Sequence, residues 1–251
     1  MLRFFRQIRK SLMEKNKIRT YIFYAIGEIF LVVIGILIAL QVNNVNEQQN
    51  DQKFETTMLR ELVVSLARDS VLIADYLEPR VLIKERAIDT LLSLGGVSSG
   101  VSNEKIIDLY DRSNIRFNYS FNSGPYETIK SKGLDLISND SLRALVTRIF
   151  EVTFPVRSQF ILNPVIEYND ELLVLERDFL SLDYIRTSNE GWELAPIAGS
   201  DDILNSPSFR RALYLQKDMA IRYRSSLEFL KRTKTILKNE IRSELNSRGE
   251  I

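Results

Sequence analysis

Between Thr20 and Leu40 the chain reads TYIFYAIGEIFLVVIGILIAL, with Glu28 as its one charge. About 20 apolar residues rising about 1.5 Å each match a hydrocarbon core of about 30 Å, more than a soluble core helix or a signal-peptide core normally needs. The run predicts a transmembrane helix over residues 20–42. It ends in Ala39-Leu40-Gln41-Val42 and not in small residues at an A-x-A-like site, so the expectation is an uncleaved anchor and not a removable signal. Mitochondrial presequences share the basic, amphipathic start but do not normally run straight into a spanning helix, and rank second.

Charge beside the run predicts its direction. Ahead of it Arg3, Arg6, Arg9, Lys10, Lys15, Lys17 and Arg19 stand against Glu14 alone, a net +6, and behind it no base occurs until Lys53. Lys and Arg are retained on the cytoplasmic side. Residues 1–19 therefore read as a basic cytoplasmic tail and 43–251 as an extracytoplasmic domain of a single-pass protein. Because the whole chain carries a formal +1, the part after residue 19 carries −5, which argues against nucleic acid as a partner.

Glu28 is costly in hydrocarbon and needs protein, water or a partner. At about 100° per residue, Tyr21, Tyr24, Glu28, Gly35, Ala39 and Asn46 fall on one stripe. Gly35 and Ala39 form a small-xxx-small step that permits close backbone approach, so Glu28, Gly35 and Ala39 are a candidate helix-helix interface with a second copy or another membrane protein. The alternative is that Glu28 reaches water near the inner surface by snorkelling.

The remaining chemistry is narrow. Cysteine and histidine are both absent, which removes thiol nucleophiles, Cys/His zinc sites, Ser-His-Asp triads, haem ligation by histidine and histidine acid-base catalysis. Carboxylate-only and Ser-Lys chemistry survive in principle, but no paired acids at a catalytic spacing are visible. Asp201 and Asp202, near Glu190 and Glu193, fit no calcium-loop pattern, and Lys130-Ser131-Lys132-Gly133 is not a phosphate-binding loop. Tyr119, Phe121 and Tyr126 could line a pocket, although aromatics beside a turn more often seal a core. The expectation is no enzyme, no metal and no cofactor.

Helical periodicity covers most of the domain. Phe54, Met58, Leu59, Leu62, Leu66, Ile73 and Leu77 recur at three- and four-residue steps, with a kink expected at Pro79 and a stop at Gly95-Gly96, so 43–95 reads as a stalk and first hairpin. Central helices follow over 102–181, one launched at Ser138-Asn139 and halted by Pro155, with a further kink at Pro164. Ile115 to Phe121 alternates as a strand would, or forms an extended loop packed by its aromatics. Residues 182–206 read as an irregular loop around Trp192. Ser206-Pro207 opens a long C-terminal helix over 207–248, whose Arg210, Arg211, Arg222, Arg224, Lys231, Arg232, Lys234 and Lys238 read as a solvated or partner-facing basic surface. The fold class is all-α: a transmembrane helix followed by an elongated antiparallel helical bundle with a long C-terminal helix.

The opening FFRQIRK, the anchor YAIGEIFLVVIGILIALQVNNVNE, the central KGLDLISNDSLR and the long last helix together resemble a family of uncharacterised bacterial single-pass membrane proteins, known only as a domain of unknown function. Val45 departs from the tryptophan expected after the Asn pair, which weakens an interfacial aromatic belt. The resemblance implies a bacterial inner-membrane protein with a helical outside domain, which then lies in the periplasm, and no activity, ligand or catalytic residue. Two function classes follow. The first is an anchored interaction or scaffolding module; the second is a ligand-sensing ectodomain signalling through membrane partners, which would normally have a second span and an output domain.

Overall fold

A computed structural model describes residues 18–95, 100–186, 192–199 and 202–249. Contacts divide the chain into two compact units, residues up to Glu55 and residues from Thr56 onward.

In the first unit the described residues are helical throughout, as the N-terminal part of α1 (Ile18–Leu72). Its apolar window has a mean hydropathy of 2.6 and none of it is buried; Ile29 is 65% and Leu31 71% exposed. Among the described residues this is the one helix long and apolar enough to cross a membrane.

The second unit is all-α apart from one hairpin. After the end of α1 come a π-helical turn (Ile73–Leu77) and α2 (Glu78–Leu94). Then follow α3 (Asn103–Ser113), α4 (Gly124–Lys132), α5 (Asp140–Arg148), a second π-helical turn (Ile149–Thr153) and α6 (Phe154–Glu176). Strands β1 (Leu180–Arg186) and β2 (Trp192–Ala198) precede α7 (Pro207–Ser247).

The cap residues are those a helix-start reading selects. The side chains of Ser102, Asn139 and Ser206 accept from the backbone N–H of Lys105, Leu142 and Phe209 respectively, each filling one orphan donor of a first turn. At the other end of α4, Gly133 takes φ +125°, and an added Cβ would lie 2.5 Å from Asp135 Oδ1. Gly133→Ala is expected to cost about 1–3 kcal/mol through the backbone conformation. A lowered melting midpoint checks this, and adding Asp135→Ala should recover little of it, since φ and not the flexible carboxylate sets the loss.

α7 organises the unit. It buries Phe209, Leu213, Gln216, Ala220, Tyr223, Leu227, Leu230, Lys234, Leu237, Ile241 and Leu245 at three- and four-residue steps, each large aliphatic contributing about 1.5–3 kcal/mol. Along one flank, Lys217, Arg224 and Lys231 pair with Asp89, Glu85 and Glu78, so numbers rise on α7 as they fall on α2 and the two run antiparallel. Along the other flank, Arg211 meets Glu171, the Tyr168 hydroxyl donates to Asp218 at 2.8 Å, and Asn139 donates to Glu244 at 2.6 Å. That flank is the α5–α6 rod, again antiparallel.

Two expectations are corrected here. Pro155 does not halt the helix: the rod continues from Asp140 to Glu176, and the wide turn over Ile149–Thr153 sits just before the proline. A π turn relaxes the i−4 carbonyl against which a proline ring would clash. Pro79 is served the same way by Ile73–Leu77, while Pro164 lies within α6 without ending it. Residues 182–206 are not irregular throughout, because β1 and β2 pair antiparallel from Leu180↔Ala198 to Arg186↔Trp192. Pro196 is tolerated because a two-stranded sheet has only edge strands. Ile115–Phe121 forms no strand; it is the extended segment packed by its aromatics, with Phe117 on Tyr223 and Phe121 on Phe154.

Candidate functional site

The residues singled out on the apolar run stand as follows. Glu28, Gly35 and Ala39 share one face of α1 and are all exposed, and a Cβ built at Gly35 meets nothing within 4 Å. Arg19 is exposed on the first turn of α1, whereas Arg3, Arg6, Arg9, Lys10, Lys15 and Lys17 lie outside the described residues. Of the acids considered for calcium, Glu190 and Asp201 lie outside the described residues and Asp202 accepts from Asn205. Among the described residues no group of His, Cys, Asp and Glu could hold a metal ion.

In the second unit, two buried lysines face inward from the rods. Lys234 is fully buried on α7, one turn after Leu230. Its ammonium pairs with Asp69 Oδ2 at 2.7 Å and lies 4.3 Å from the Phe154 ring centroid and 5.7 Å from that of Tyr119. Asp69 Oδ2 also accepts from the Asn122 backbone N–H at 3.2 Å, tying the extended segment after α3 to α1. Burial pushes the Lys234 amine below its usual value, with the Asp69 bond and charge opposing the shift. Burial and the charge of Asp69 push the Tyr119 hydroxyl up, and among the described residues it has no hydrogen-bond partner. Both π turns border this cluster: one begins four residues after Asp69 and the other ends at the residue before Phe154.

Lys84 is the second. It is fully buried on α2, and its Nζ donates to the Ser113 carbonyl at the end of α3 and to Gln216 Oε1 on α7. Gln216 Nε2 donates to Asn114 Oδ1 at 2.8 Å, and Asn114 Nδ2 reaches Glu176 Oε1 at 3.5 Å. The Tyr110 hydroxyl donates to the same Glu176 oxygen at 2.8 Å, and Arg116 donates to Asn114 and Asn169. Burial, and then the Arg116 guanidinium, bring the Lys84 amine down to about 7. Burial and Glu176 push the Tyr110 hydroxyl up.

This arrangement corrects the reading of α7 as a solvated or partner-facing basic surface at one residue. Lys234 is core, whereas Arg211, Arg222, Arg224 and Lys231 stay partly exposed in ion pairs. Tyr119 and Tyr126 seal the core: Tyr126 stacks on Phe150 at 4.8 Å and donates to Glu151, whose carboxyl Lys130 and Tyr126 hold below its usual range. The missed signal was phase. Lys84 follows Val81 by three residues and precedes Ile88 by four, and Lys234 stands likewise between Leu230 and Leu237, so both fall on the apolar stripe.

Concavities lie along the helix seams and are open. One of about 330 Å³ is lined by Glu85, Asp89, Lys217, Ile221 and Arg224, and another of about 640 Å³ lies between α5 and α7 near Arg148 and Glu240. Their walls mix paired charges with aliphatic side chains.

A model described as a family of unknown function (DUF6090) matches residues 28–173. No curated protein and no solved structure matches the chain.

Proposed function

We propose, starting from the fact that this chain belongs to the DUF6090 family of unknown function, that it is a non-enzymatic, membrane-anchored interaction or scaffolding protein of a bacterial inner membrane. The observation that carries the reading is the bare apolar window of α1, immediately preceded in sequence by a net +6 over residues 1–19. In water, about 20 unburied apolar residues would be a strong aggregation liability; in a bilayer they are at their preferred depth. The charge asymmetry then favours residues 1–19 in the cytoplasm and the helical unit outside. Within lipid, Gly35 and Ala39 offer a close-approach face, and Glu28 a hydrogen-bonding group, to a second copy or another membrane protein.

Membrane fractions of cells expressing the full chain should retain it through alkaline carbonate washing, and a phosphatase reporter that gains activity only outside the cytoplasm should be active when fused behind Ile251. Release by carbonate, or an inactive reporter on a stably expressed fusion, would overturn the reading. For the helix face, single cysteines introduced by Gly35→Cys and Ala39→Cys should crosslink to a membrane protein or a second copy more readily than Leu37→Cys, and equal yields at the three positions would remove that part.

A further inference from the structure

Lys84 makes an unusual set of contacts for a buried lysine. Among the described residues its amine has two acceptors, the Ser113 carbonyl and the Gln216 side-chain oxygen, and neither is a carboxylate. A neutral amine has two N–H bonds and fits this pair; an ammonium has a third, for which the described residues offer no acceptor. An uncompensated charge at a fully buried position is strongly disfavoured.

The surrounding charges do not favour protonation. From the segment after α3 comes Arg116, a like charge, and from α3 itself Tyr110, held protonated. α7 presents the neutral Gln216. Glu176 of α6 is bonded to Tyr110 and Asn114, with the Gln216 and Asn114 amides between it and the amine. The acids near Lys84 on α2, Glu85 and Asp89, pair with Arg224 and Lys217. Its two bonds join three segments: α2, the C-terminal end of α3, and α7.

We propose that Lys84 is a proton-operated latch: as a neutral amine it fastens the Asn103–Arg116 segment to the α2–α7 pair, and its protonation loosens that segment. This goes beyond the anchoring reading and does not depend on it. As the pH falls, the amine takes a proton more readily when the segment opens to water than when it is closed, so acid favours the open form. The response is confined to the interval between the closed-state and the solvated lysine values.

The test uses the full chain in detergent micelles. Lysine-selective carbon NMR follows the Lys84 side chain, and mass-resolved amide exchange follows residues 103–116 from pH 9 to pH 6, corrected for intrinsic rates. The expected result is a Lys84 midpoint near pH 7 and opening of 103–116 that rises on the order of a hundredfold across the interval. Lys84→Met should flatten that rise. Should Lys84→Met fail to fold, Arg116→Gln keeps the amine, removes the like charge and is expected to move the midpoint upward. A wild-type Lys84 midpoint near pH 10, or exchange of 103–116 that follows only the intrinsic rates, overturns the proposal.

Discussion

Asp69→Ala is expected to destabilise the helical unit by about 3–5 kcal/mol, because it leaves the Lys234 ammonium buried with no counter-charge. The Asn122 N–H loses its acceptor in the same step, so the extended segment after α3 should loosen too. Aromatic rings at 4.3 and 5.7 Å soften the loss without replacing a carboxylate. The decisive comparison is the double variant Asp69→Ala with Lys234→Met. Removing both charges should recover most of the loss, since the pair's attraction largely offsets its own desolvation. Chemical unfolding of the full chain in detergent, followed by circular dichroism, measures both. Equal stability of Asp69→Ala and wild type would mean that the ion pair contributes nothing.

Raising the pH from 7 to 9 is expected to stabilise the protein by about 2 kcal/mol through Lys84 alone. Its amine binds a proton with a value of about 7 in the folded chain, against 10.5 for a free lysine. Between those values the unfolded chain holds more protons than the folded one, so stability rises with pH by about 1.4 kcal/mol per unit and levels off above the unfolded value. Below about 7 both states carry the charge and the full penalty applies. Lys84→Met should lose this slope. Its stability at a single pH is less informative, because it also leaves the Ser113 and Gln216 oxygens without their donor. Unfolding curves at pH 7, 8 and 9 for both proteins check the sign; a wild-type slope of zero, or one shared by Lys84→Met, rules the assignment out.

Much of the architecture was readable because it depends on local rules. The long last helix follows from Ser206-Pro207 and an apolar stripe kept to Leu245. Asn139 and Ser102 mark helix starts by their side-chain oxygens, and Gly95 caps the end of α2. What failed depended on partners distant in sequence. Leu180–Arg186 is a strand only because Trp192–Ala198 lies beside it, and Gly191, Pro196 and Gly199 disguise the pairing as a loop. Ile115–Phe121 shows the reverse: among the described residues its alternation has no strand to meet, and Tyr119 and Phe121 go into a helical core. The buried lysines were hidden by residue type. Periodicity placed Lys234 on the core side, but a basic side chain in a basic helix reads as surface until Asp69, 165 residues away, is brought beside it.

The two wide turns before Pro79 and Pro155 each hold one residue more than a regular turn of helix. Such a turn is a dislocation in an otherwise periodic rod, offsetting the angular position of everything beyond it by about 100°. In the α5–α6 rod, Leu142 and Val146 on one side of the dislocation and Phe154 and Ile161 on the other all face the core, although no unbroken helix would align those spacings so closely. The irregularity keeps the apolar side of the rod turned to the core on both sides of the dislocation, and it places the change of phase beside the buried Lys234 charge.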